Sequence, residues 1–329
     1  MIKTAYTGDF DSRLMKDILV SEIAELLKED PDVIYLDADL MGAVGIQKLM
    51  AESDRIIDCG IAEANMVGVG CGLSASGFKP FVHSFGTFAS RRCFDQAFLS
   101  GGYAGNAITI IGSDPGVYAA FNGATHMPFE DMALYRTLPN AVVMDITDPN
   151  MLIDVLRQVK DIPGVKYLRM GRKNAVKIYE DGTHFEIGKG NILKDGKDAA
   201  IIACGIMVHE AMKAAIELEK SGIAVSVIDM FTIKPLDERL VKDYATKNGI
   251  IITAENHNKI GGLYSAVCET LSGGISVGCV AVEDTFGEVG PQDYLQKCFG
   301  LTAEHIISEV KSLIGSVPKN CVNWRRFKS

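Results

Sequence analysis

The residues with the clearest chemical potential lie in the stretch 58–63, which reads Asp-Cys-Gly-Ile-Ala-Glu. A short apolar strand over 55–59 ends in a glycine turn, and Glu63 then stands in the first turn of a helix that runs through small residues to Gly77. A carboxyl group in such a strand-to-helix crevice has a raised pKa and can exchange a proton near neutral pH. The alternative is an ordinary first-turn glutamate favoured by the helix dipole. The aromatic strand and helix that follow favour the first interpretation.

An alternation of short apolar strands with helices must position Glu63 and its neighbours. The first half contains predicted strands over 33–36, 55–59, 80–85, 107–112, 141–145 and 165–170, and predicted helices over 14–27, 63–77, 91–99 and 149–159. This alternation indicates a mostly parallel sheet covered on both faces. The loop 113–127 is long and contains glycine, and loops of that length are uncommon unless they serve a site.

The segment 171–198 interrupts this pattern, because it is polar and rich in turn residues. We therefore predict two open α/β domains, with a first domain over 1–175, a linker over 176–198 and a second domain over 199–329. The second half repeats the alternation, with strands over 199–204, 224–230, 250–254 and 276–282, a helix over 208–220, and another after Gly261-Gly262. Two amphipathic helices end the fold, and the basic tail from Trp324 is expected to be frayed.

Composition bounds the function. The chain has 329 residues, of which 47% are hydrophobic and 23% charged, enough for two globular domains with cores. A net charge of −9 makes the whole chain a poor electrostatic fit to nucleic acid or anionic lipid. The first residues lack the apolar core of a signal peptide, and no apolar run approaches the roughly 20 residues of a membrane helix. The 8 scattered cysteines, without a C-x-x-C pair, indicate a reduced, cytoplasmic protein.

The order and spacing of several motifs resemble those of the C-terminal half of transketolase, over nearly the whole chain. The motifs are Ala38-Asp-Leu, Gly60-Ile-Ala-Glu63, Pro80-Phe-Val-His-Ser-Phe85-Gly-Thr-Phe88, Phe94-Asp-Gln96, Gly123-Ala-Thr-His126, Ile228-Asp-Met-Phe-Thr-Ile-Lys-Pro235, Gly261-Gly-Leu and Asp284-Thr-Phe-Gly287. Each motif is weak alone, but together they are specific. Ordinary transketolases carry a further half before this one, so the resemblance implies the second subunit of a split transketolase.

The resemblance implies thiamine diphosphate as cofactor and a pyrimidine-binding role for the first domain. Glu63 would lie beside the far pyrimidine nitrogen and stabilise the imino tautomer that acts as base. Phe85 and Phe88 would line the aminopyrimidine pocket, as aromatic faces suit a flat ring, although core packing is their commoner use. One of Arg91 and Arg92 is expected near the pyrimidine. The resemblance does not choose between them, and Arg92 is taken as the working hypothesis.

Four further residues match family positions. Asp39 would lie near the ring junction of the cofactor, although a loop aspartate also often caps a helix. His126 would act in catalysis by touching the hydroxyls of the substrate, since an imidazole donates, accepts or shuttles a proton. Arg13 and Arg172 would hold the phosphate of the sugar, because a guanidinium fork suits phosphate or sulfonate oxygens. The alternative for each arginine is a solvated surface position.

Two positions in the substrate site depart from the family. Asp114 aligns with the histidine of the phosphate site, and a carboxylate repels a phosphate dianion unless it is protonated or paired. Asn122 stands where the family has an acidic residue that selects the configuration of sugar hydroxyls, and an amide can donate as well as accept. The acceptor is therefore expected to differ from the usual aldose phosphate.

The family's metal-binding loop has no equivalent in this sequence. Transketolases hold the diphosphate through Mg²⁺, using a Gly-Asp-Gly loop and a downstream asparagine, whereas Asp181-Gly182 here falls in the predicted linker. The resemblance thus implies that this chain binds the pyrimidine end of the cofactor and has no metal site of its own. An N-terminal partner subunit would hold Mg²⁺ and the diphosphate, in an assembly expected to be α2β2.

The predicted activity is transfer of a two-carbon ketol unit from a ketose to an aldose. The main enzymatic alternative is the β subunit of a 2-oxoacid dehydrogenase, and a deoxyxylulose-phosphate synthase fragment is a weaker one. The uninterrupted stretch 123–126 and the two arginines favour the sugar enzyme. A non-catalytic assembly subunit would explain Asp114 and Asn122, but Glu63 and His126 argue against it. A nucleotide-binding module would need a glycine-rich loop after the first strand, and 37–42 is not one.

Overall fold

The computed structural model describes residues 2–271 and 275–316, so the tail from Trp324, expected to be frayed, lies outside the described residues. The strands are β1 Val33–Asp37, β2 Ile56–Asp58, β3 Lys79–Phe85, β4 Ile108–Ser113, β5 Val142–Asp145, β6 Val165–Met170, β7 Asn191–Lys194, β8 Ala199–Ala203, β9 Val225–Asp229, β10 Thr232–Lys234, β11 Ile250–Asn258 and β12 Ser276–Val282. The predicted strands of both halves are confirmed, with boundaries that differ by a few residues.

Within the described residues these strands form two sheets. The seven-stranded sheet has the order β10-β5-β6-β4-β3-β1-β2, and the five-stranded sheet has the order β12-β11-β8-β9-β7. All pairings are parallel except those of β10 with β5 and β7 with β9. The predicted fold class, two open and mostly parallel α/β sheets, is confirmed. Strand β10 follows residue 199 yet completes the first sheet, and the domain boundaries at 175 and 199 stay a prediction.

The helices are α1 Met15–Glu29, α2 Met41–Val44, α3 Glu63–Ala75, α4 Phe88–Arg91, α5 Phe94–Gln96, α6 Asp131–Thr137, α7 Pro149–Val159, α8 Met207–Lys220, α9 Glu238–Asn248, α10 Leu263–Thr270, α11 Gln292–Cys298 and α12 Ala303–Ser316. Within the described residues, no helix has the length and apolar composition needed to cross a membrane. The same residues contain seven cysteines, all of them free.

One predicted helix is wrong. The sequence predicts a continuous helix over 91–99, but α4 and α5 are separate short turns, followed by a π-helical stretch, Ala97–Tyr103. The Ser90 hydroxyl donates to the Gly86 carbonyl at 2.6 Å, and Cys93, between the two turns, has a non-helical φ of −131°. Side-chain bonds of this kind compete with the backbone ladder of a helix. The break therefore begins where Ser90 bonds back to the preceding turn.

The first sheet is buried on both faces, as its apolar strands predict. On β1 and β3, Tyr35 and Phe81 belong to one core cluster, whereas Leu36 and Val82 belong to the cluster on the opposite face. Because successive side chains of a strand point to opposite faces, this split follows directly from the strand geometry. The aligned registers bring the carboxyl ends of β1, β3, β4 and β6 to the same edge, where the candidate site residues follow.

A buried arginine on β6 joins the two halves of the chain. The Arg169 guanidinium donates to Asp131 at 2.8 Å, to Asp145 at 2.9 Å and to the Asn256 carbonyl on β11 at 3.0 Å. The Asn256 side chain in turn accepts from the Val117 amide at 3.0 Å and donates to the Pro115 carbonyl at 3.0 Å. The second half thus holds the start of the long loop predicted to serve a site.

Arg169→Met should lower the free energy of unfolding by about 3–5 kcal/mol, because it leaves Asp131 and Asp145 buried without their cation. Urea unfolding monitored by circular dichroism measures the change. The matched control is Arg239→Met, whose side chain is 90% exposed and lies 3.8 Å from Asp243, and it should stay within about 0.5 kcal/mol of the parent. Equal effects of the two variants would show that the buried ion cluster does not hold the fold.

Candidate functional site

Glu63 begins helix α3 directly after the β2 turn, as the sequence predicts, and its side chain is buried. Its Oε1 accepts a hydrogen bond from the Ser84 hydroxyl at 3.3 Å. The Arg92 guanidinium lies 3.0 Å from Oε1 and 3.3 Å from Oε2 of the same carboxylate. Both oxygens of the buried carboxylate therefore bind a flat, nitrogen-bearing group, and Arg92 is the arginine that reaches it.

The aromatic residues predicted for the cofactor pocket form one cluster with His126. The Phe85 and Phe88 rings lie 6.2 Å apart, and the His126 ring stands edge-on to them, at 5.9 and 5.0 Å between centroids. The Arg92 guanidinium covers the Phe88 ring at 3.7 Å. The Thr125 hydroxyl lies 2.9 Å from His126 Nδ1. The half-buried imidazole thus lines a cleft together with Phe88, Arg92 and Thr125.

A tight turn after β3 fixes the two phenylalanines. The Gly86 amide donates to the Ser113 carbonyl at 2.7 Å, so the turn lies against the end of β4. A Cβ atom at Gly112 would stand 2.5 Å from the Tyr167 hydroxyl and 3.0 Å from Gly86 Cα. Only glycine permits this approach of β4 to the turn. The positions of Phe85 and Phe88 therefore depend on the packing of the neighbouring strand β4 as well as on their spacing in the sequence.

Asp114 and Arg172 form an ion pair at the ends of β4 and β6. The Arg172 Nε lies 2.7 Å and its Nη2 2.6 Å from Asp114 Oδ2, while the Arg172 amide donates to Oδ1 at 3.0 Å. Asp114 is 6% exposed and has a φ of +51°, a strained value for a residue with a side chain. The Arg172 guanidinium also lies 4.8 Å from the Phe85 ring. Asp114 thus already pairs with Arg172, the arginine predicted to bind the anionic end of the sugar.

Three predicted site residues, Arg13, Asp39 and Asn122, have other surroundings. Arg13 donates to Asp11 at 2.7 and 2.9 Å and to Asn150 at 2.9 Å, and no contact joins it to Arg172 among the described residues. Asp39 is exposed at the end of β1, with a φ of +61° and its amide bonded to Asp58 at 3.0 Å. Asn122 is exposed in the site loop, next to Gly123. Their assigned roles stay predictions.

Sequence reasoning missed the polar partners around the site, including the carboxylate that holds Arg91. Arg91 pairs with Glu130, with 2.6 Å between Nε and Oε1. A buried chain also runs beneath the site, where His83 lies 2.7 Å from Asp37 and 3.0 Å from Ser113. These residue types match a Ser-His-Asp triad, but all three are fully buried and unreachable by a substrate, so they brace the ends of β1, β3 and β4. Ser84 could have been found from the sequence. It is a polar residue that precedes Phe85 on a strand, and strand alternation turns its side chain to the face opposite that of Phe85.

The residues suit the pyrimidine end of thiamine diphosphate, because a buried carboxylate and a phenylalanine face already hold the planar guanidinium of Arg92 between them. Residues 2–271 and 275–316 contain no group of three or more His, Cys, Asp or Glu side chains placed to hold a metal ion. What the described residues provide is therefore a carboxylate, a set of aromatic faces and an imidazole at the carboxyl edge of a parallel sheet, where open α/β sheets bind ligands.

A protein of two open α/β sheets, with a buried carboxylate and aromatic faces at the carboxyl edge of the first sheet, defines the class, and comparison with known proteins gives the family. Residues 12–177 match the transketolase pyrimidine binding domain, and residues 188–306 match the transketolase C-terminal domain. The chain belongs to the transketolase family.

Similar proteins include subunits of split transketolases. The chain is 44% identical over 296 residues to the 6-deoxy-6-sulfo-D-fructose transketolase subunit SqwH of Clostridium sp. (strain MSTE9), in a match that covers 89% of this chain and 92% of that one. It is 36% identical over 252 residues to an apulose-4-phosphate transketolase subunit of Phocaeicola vulgatus (strain ATCC 8482), covering 76% and 81% of the two chains. A solved split-gene transketolase, an inactive β4 tetramer, superposes with a TM-score of 0.85 at 35% identity, covering 93% of this chain and 99% of that one.

Proposed function

We propose that this chain is the C-terminal subunit of a thiamine diphosphate-dependent transketolase that moves a two-carbon ketol unit from a ketose to an aldose. The observation that carries the proposal is the buried Glu63 carboxylate, which binds the Arg92 guanidinium that lies on the Phe88 ring beside His126. The likeness to subunits of split transketolases supports the same assignment. A partner subunit would supply the Mg²⁺ and diphosphate site, in an α2β2 assembly.

The chain's own residues have separate tasks in this proposal. When bound, thiamine diphosphate supplies a carbanion that cleaves and forms carbon–carbon bonds. Glu63 holds a proton at the far pyrimidine nitrogen, and its burial keeps water from competing for that proton. Phe85 and Phe88 would pack against the cofactor ring, and Arg92 belongs to the same pocket. His126 bonds the substrate hydroxyls and moves a proton at its imidazole. Asp39 would lie near the ring junction of the cofactor.

The finer part of the proposal concerns which group the site accepts at the anionic end of the sugar. Arg172 would hold that end, with Arg13 and Asn122 contributing to the substrate site. Because Asp114 already balances the charge of Arg172, a dianionic phosphate meets both a neutralised cation and a carboxylate. A sulfonate is a monoanion, and an uncharged end has no charge to balance. We therefore favour sugars with a sulfonated or uncharged end, in keeping with the relative that acts on 6-deoxy-6-sulfo-D-fructose.

The first prediction of the proposed function concerns the chain without its partner. Alone it should be inactive and bind thiamine diphosphate weakly, because the diphosphate and Mg²⁺ site lies on the partner. Calorimetric titration of the cofactor with Mg²⁺ compares the lone chain with the co-purified complex. Tight binding by the lone chain would refute the division of the site between two subunits.

The second prediction concerns the proton at Glu63. Glu63→Gln should lower ketol transfer by about 10²–10⁴-fold, because the amide keeps the shape but cannot share the proton. Steady-state assays of the complex measure the rate, and circular dichroism checks the fold. Ser84→Ala is the matched control, since it removes one neutral bond to Glu63 and keeps the carboxylate; it should cost much less. A Glu63→Gln rate within a few-fold of the parent contradicts the role.

The third prediction concerns Asp114. The parent complex should prefer sulfonated or uncharged aldehydes to ribose 5-phosphate, and Asp114→His should shift kcat/KM towards ribose 5-phosphate by at least about tenfold. Two unit charges about 4 Å apart at an effective dielectric of about 20 repel by roughly 4 kcal/mol, which is an upper guide. Asp54→His, at an exposed position, is the control. If the parent already prefers ribose 5-phosphate and Asp114→His does not improve it, Asp114 does not set specificity.

A further inference from the structure

Arg92 makes the two contacts that an aminopyrimidine ring would need. Its guanidinium donates to both oxygens of Glu63, at 3.0 and 3.3 Å, and lies 3.7 Å from the centroid of the Phe88 ring. A guanidinium is flat, delocalised and edged with N–H donors, so it stacks on aromatic faces as a heteroaromatic ring does. The same carboxylate and the same aromatic face are those proposed for the cofactor.

The Arg92 guanidinium and an aminopyrimidine ring cannot occupy the position between Glu63 and Phe88 at the same time. Oε1 of Glu63 also accepts from Ser84 at 3.3 Å, so little acceptor capacity remains beside Arg92. The His126 ring stands edge-on to Phe88, with 5.0 Å between centroids, while Arg92 covers the Phe88 face. A flat ring that reaches Glu63 and stacks on Phe88 must therefore displace the guanidinium.

We propose that Arg92 is an internal stand-in for the aminopyrimidine, which holds the Glu63 carboxylate while the site is empty and leaves when the cofactor enters. The proposal rests on the proposed function. The sequence assigned Arg92 to cofactor binding, whereas in this proposal Arg92 competes with the cofactor and lowers its affinity. An unpaired buried carboxylate is costly, so the empty site needs a cation at Glu63. The Arg92 side chain is 46% exposed and Glu63 only 4%, so the arginine is the partner that can turn out to water.

Two properties of the chain follow from this exchange. Any other flat cation must also compete with Arg92 for Glu63, because the carboxylate is already paired. The cofactor must break one ion pair and one cation–π contact before it binds, which lowers its affinity and slows its entry. Arg91 carries the same charge on the same turn but pairs with Glu130, so it does not contribute to this barrier.

The test compares cofactor binding and a measurement that needs no cofactor. In the complex with the partner subunit, calorimetry with Mg²⁺ gives the Kd of thiamine diphosphate for the parent, Arg92→Gln, Arg92→Lys and the control Arg91→Gln. Arg92→Gln should bind roughly 3–30-fold more tightly, because one exposed ion pair and one cation–π contact no longer compete. Arg92→Lys should fall between the parent and Arg92→Gln, since it keeps the charge without the plane, and Arg91→Gln should match the parent.

In the lone chain without cofactor, urea unfolding of Glu63→Gln, Arg92→Gln and the double variant gives their coupling, which should be favourable for the parent pair. An Arg92→Gln affinity equal to or weaker than that of the parent overturns the inference, and so does a coupling of zero in the lone chain. If the parent complex binds no thiamine diphosphate while the Glu63–Arg92 coupling is present, it is the proposed function that fails.

Discussion

The Arg169 guanidinium, buried between the two sheets, is the interaction on which the rest of the structure depends. It is fully enclosed and its charge is met by Asp131 and Asp145, so its three bonds cannot be exchanged for water. Its bond to the Asn256 carbonyl ties β6 of the first sheet to β11 of the second. Because Asn256 also bonds the backbone at Pro115 and Val117, the same contact fixes the loop that carries His126.

The candidate site is a line of stacked and paired groups across the carboxyl edge of the first sheet. Glu63 meets Arg92, which lies on Phe88. His126 stands edge-on to both Phe88 and Phe85, and Phe85 lies beside Arg172. A planar ring and an anionic sugar could occupy the two ends of such a line. The imidazole contacts the aromatic rings that join the Glu63 end to the Arg172 end, so the roles proposed for these residues are compatible with one another.

Ion pairs balance the charges of the candidate site. Each of the three arginines predicted for cofactor or substrate binding faces a carboxylate: Arg13 faces Asp11, Arg92 faces Glu63 and Arg172 faces Asp114. An anionic ligand must compete with an internal carboxylate, and a cationic or flat ligand with an internal guanidinium. Strained backbone accompanies this arrangement, because Asp39, Asp114 and Ala120 have positive φ angles at the strand ends and in the site loop. Strain of this kind persists only where the surrounding structure imposes it.

Much of the fold follows from the sequence, because the signals are local. Apolar strands of about six residues alternating with helices predict a parallel sheet, and the carboxyl ends of its strands meet at one edge. This geometry brings Glu63, Phe85 and Phe88 to the same edge of the sheet from local signals alone, whereas the loop that carries His126 is held by the distant residue Asn256. The motif spacing that identified the family is local in the same sense.

Other features were decided by tertiary structure. Nothing near Arg91 and Arg92 says which one reaches Glu63, since that depends on where the broken helix turns after Ser90. The pairing of Asp114 with Arg172 joins residues 58 positions apart. The hydrogen bond between Asn256 and Val117 joins residues 139 positions apart. Strand β10 belongs to the second half of the chain but pairs within the first sheet. Local pattern determines which elements form and which edge they share, whereas side-chain pairing between distant segments exists only once the chain has packed.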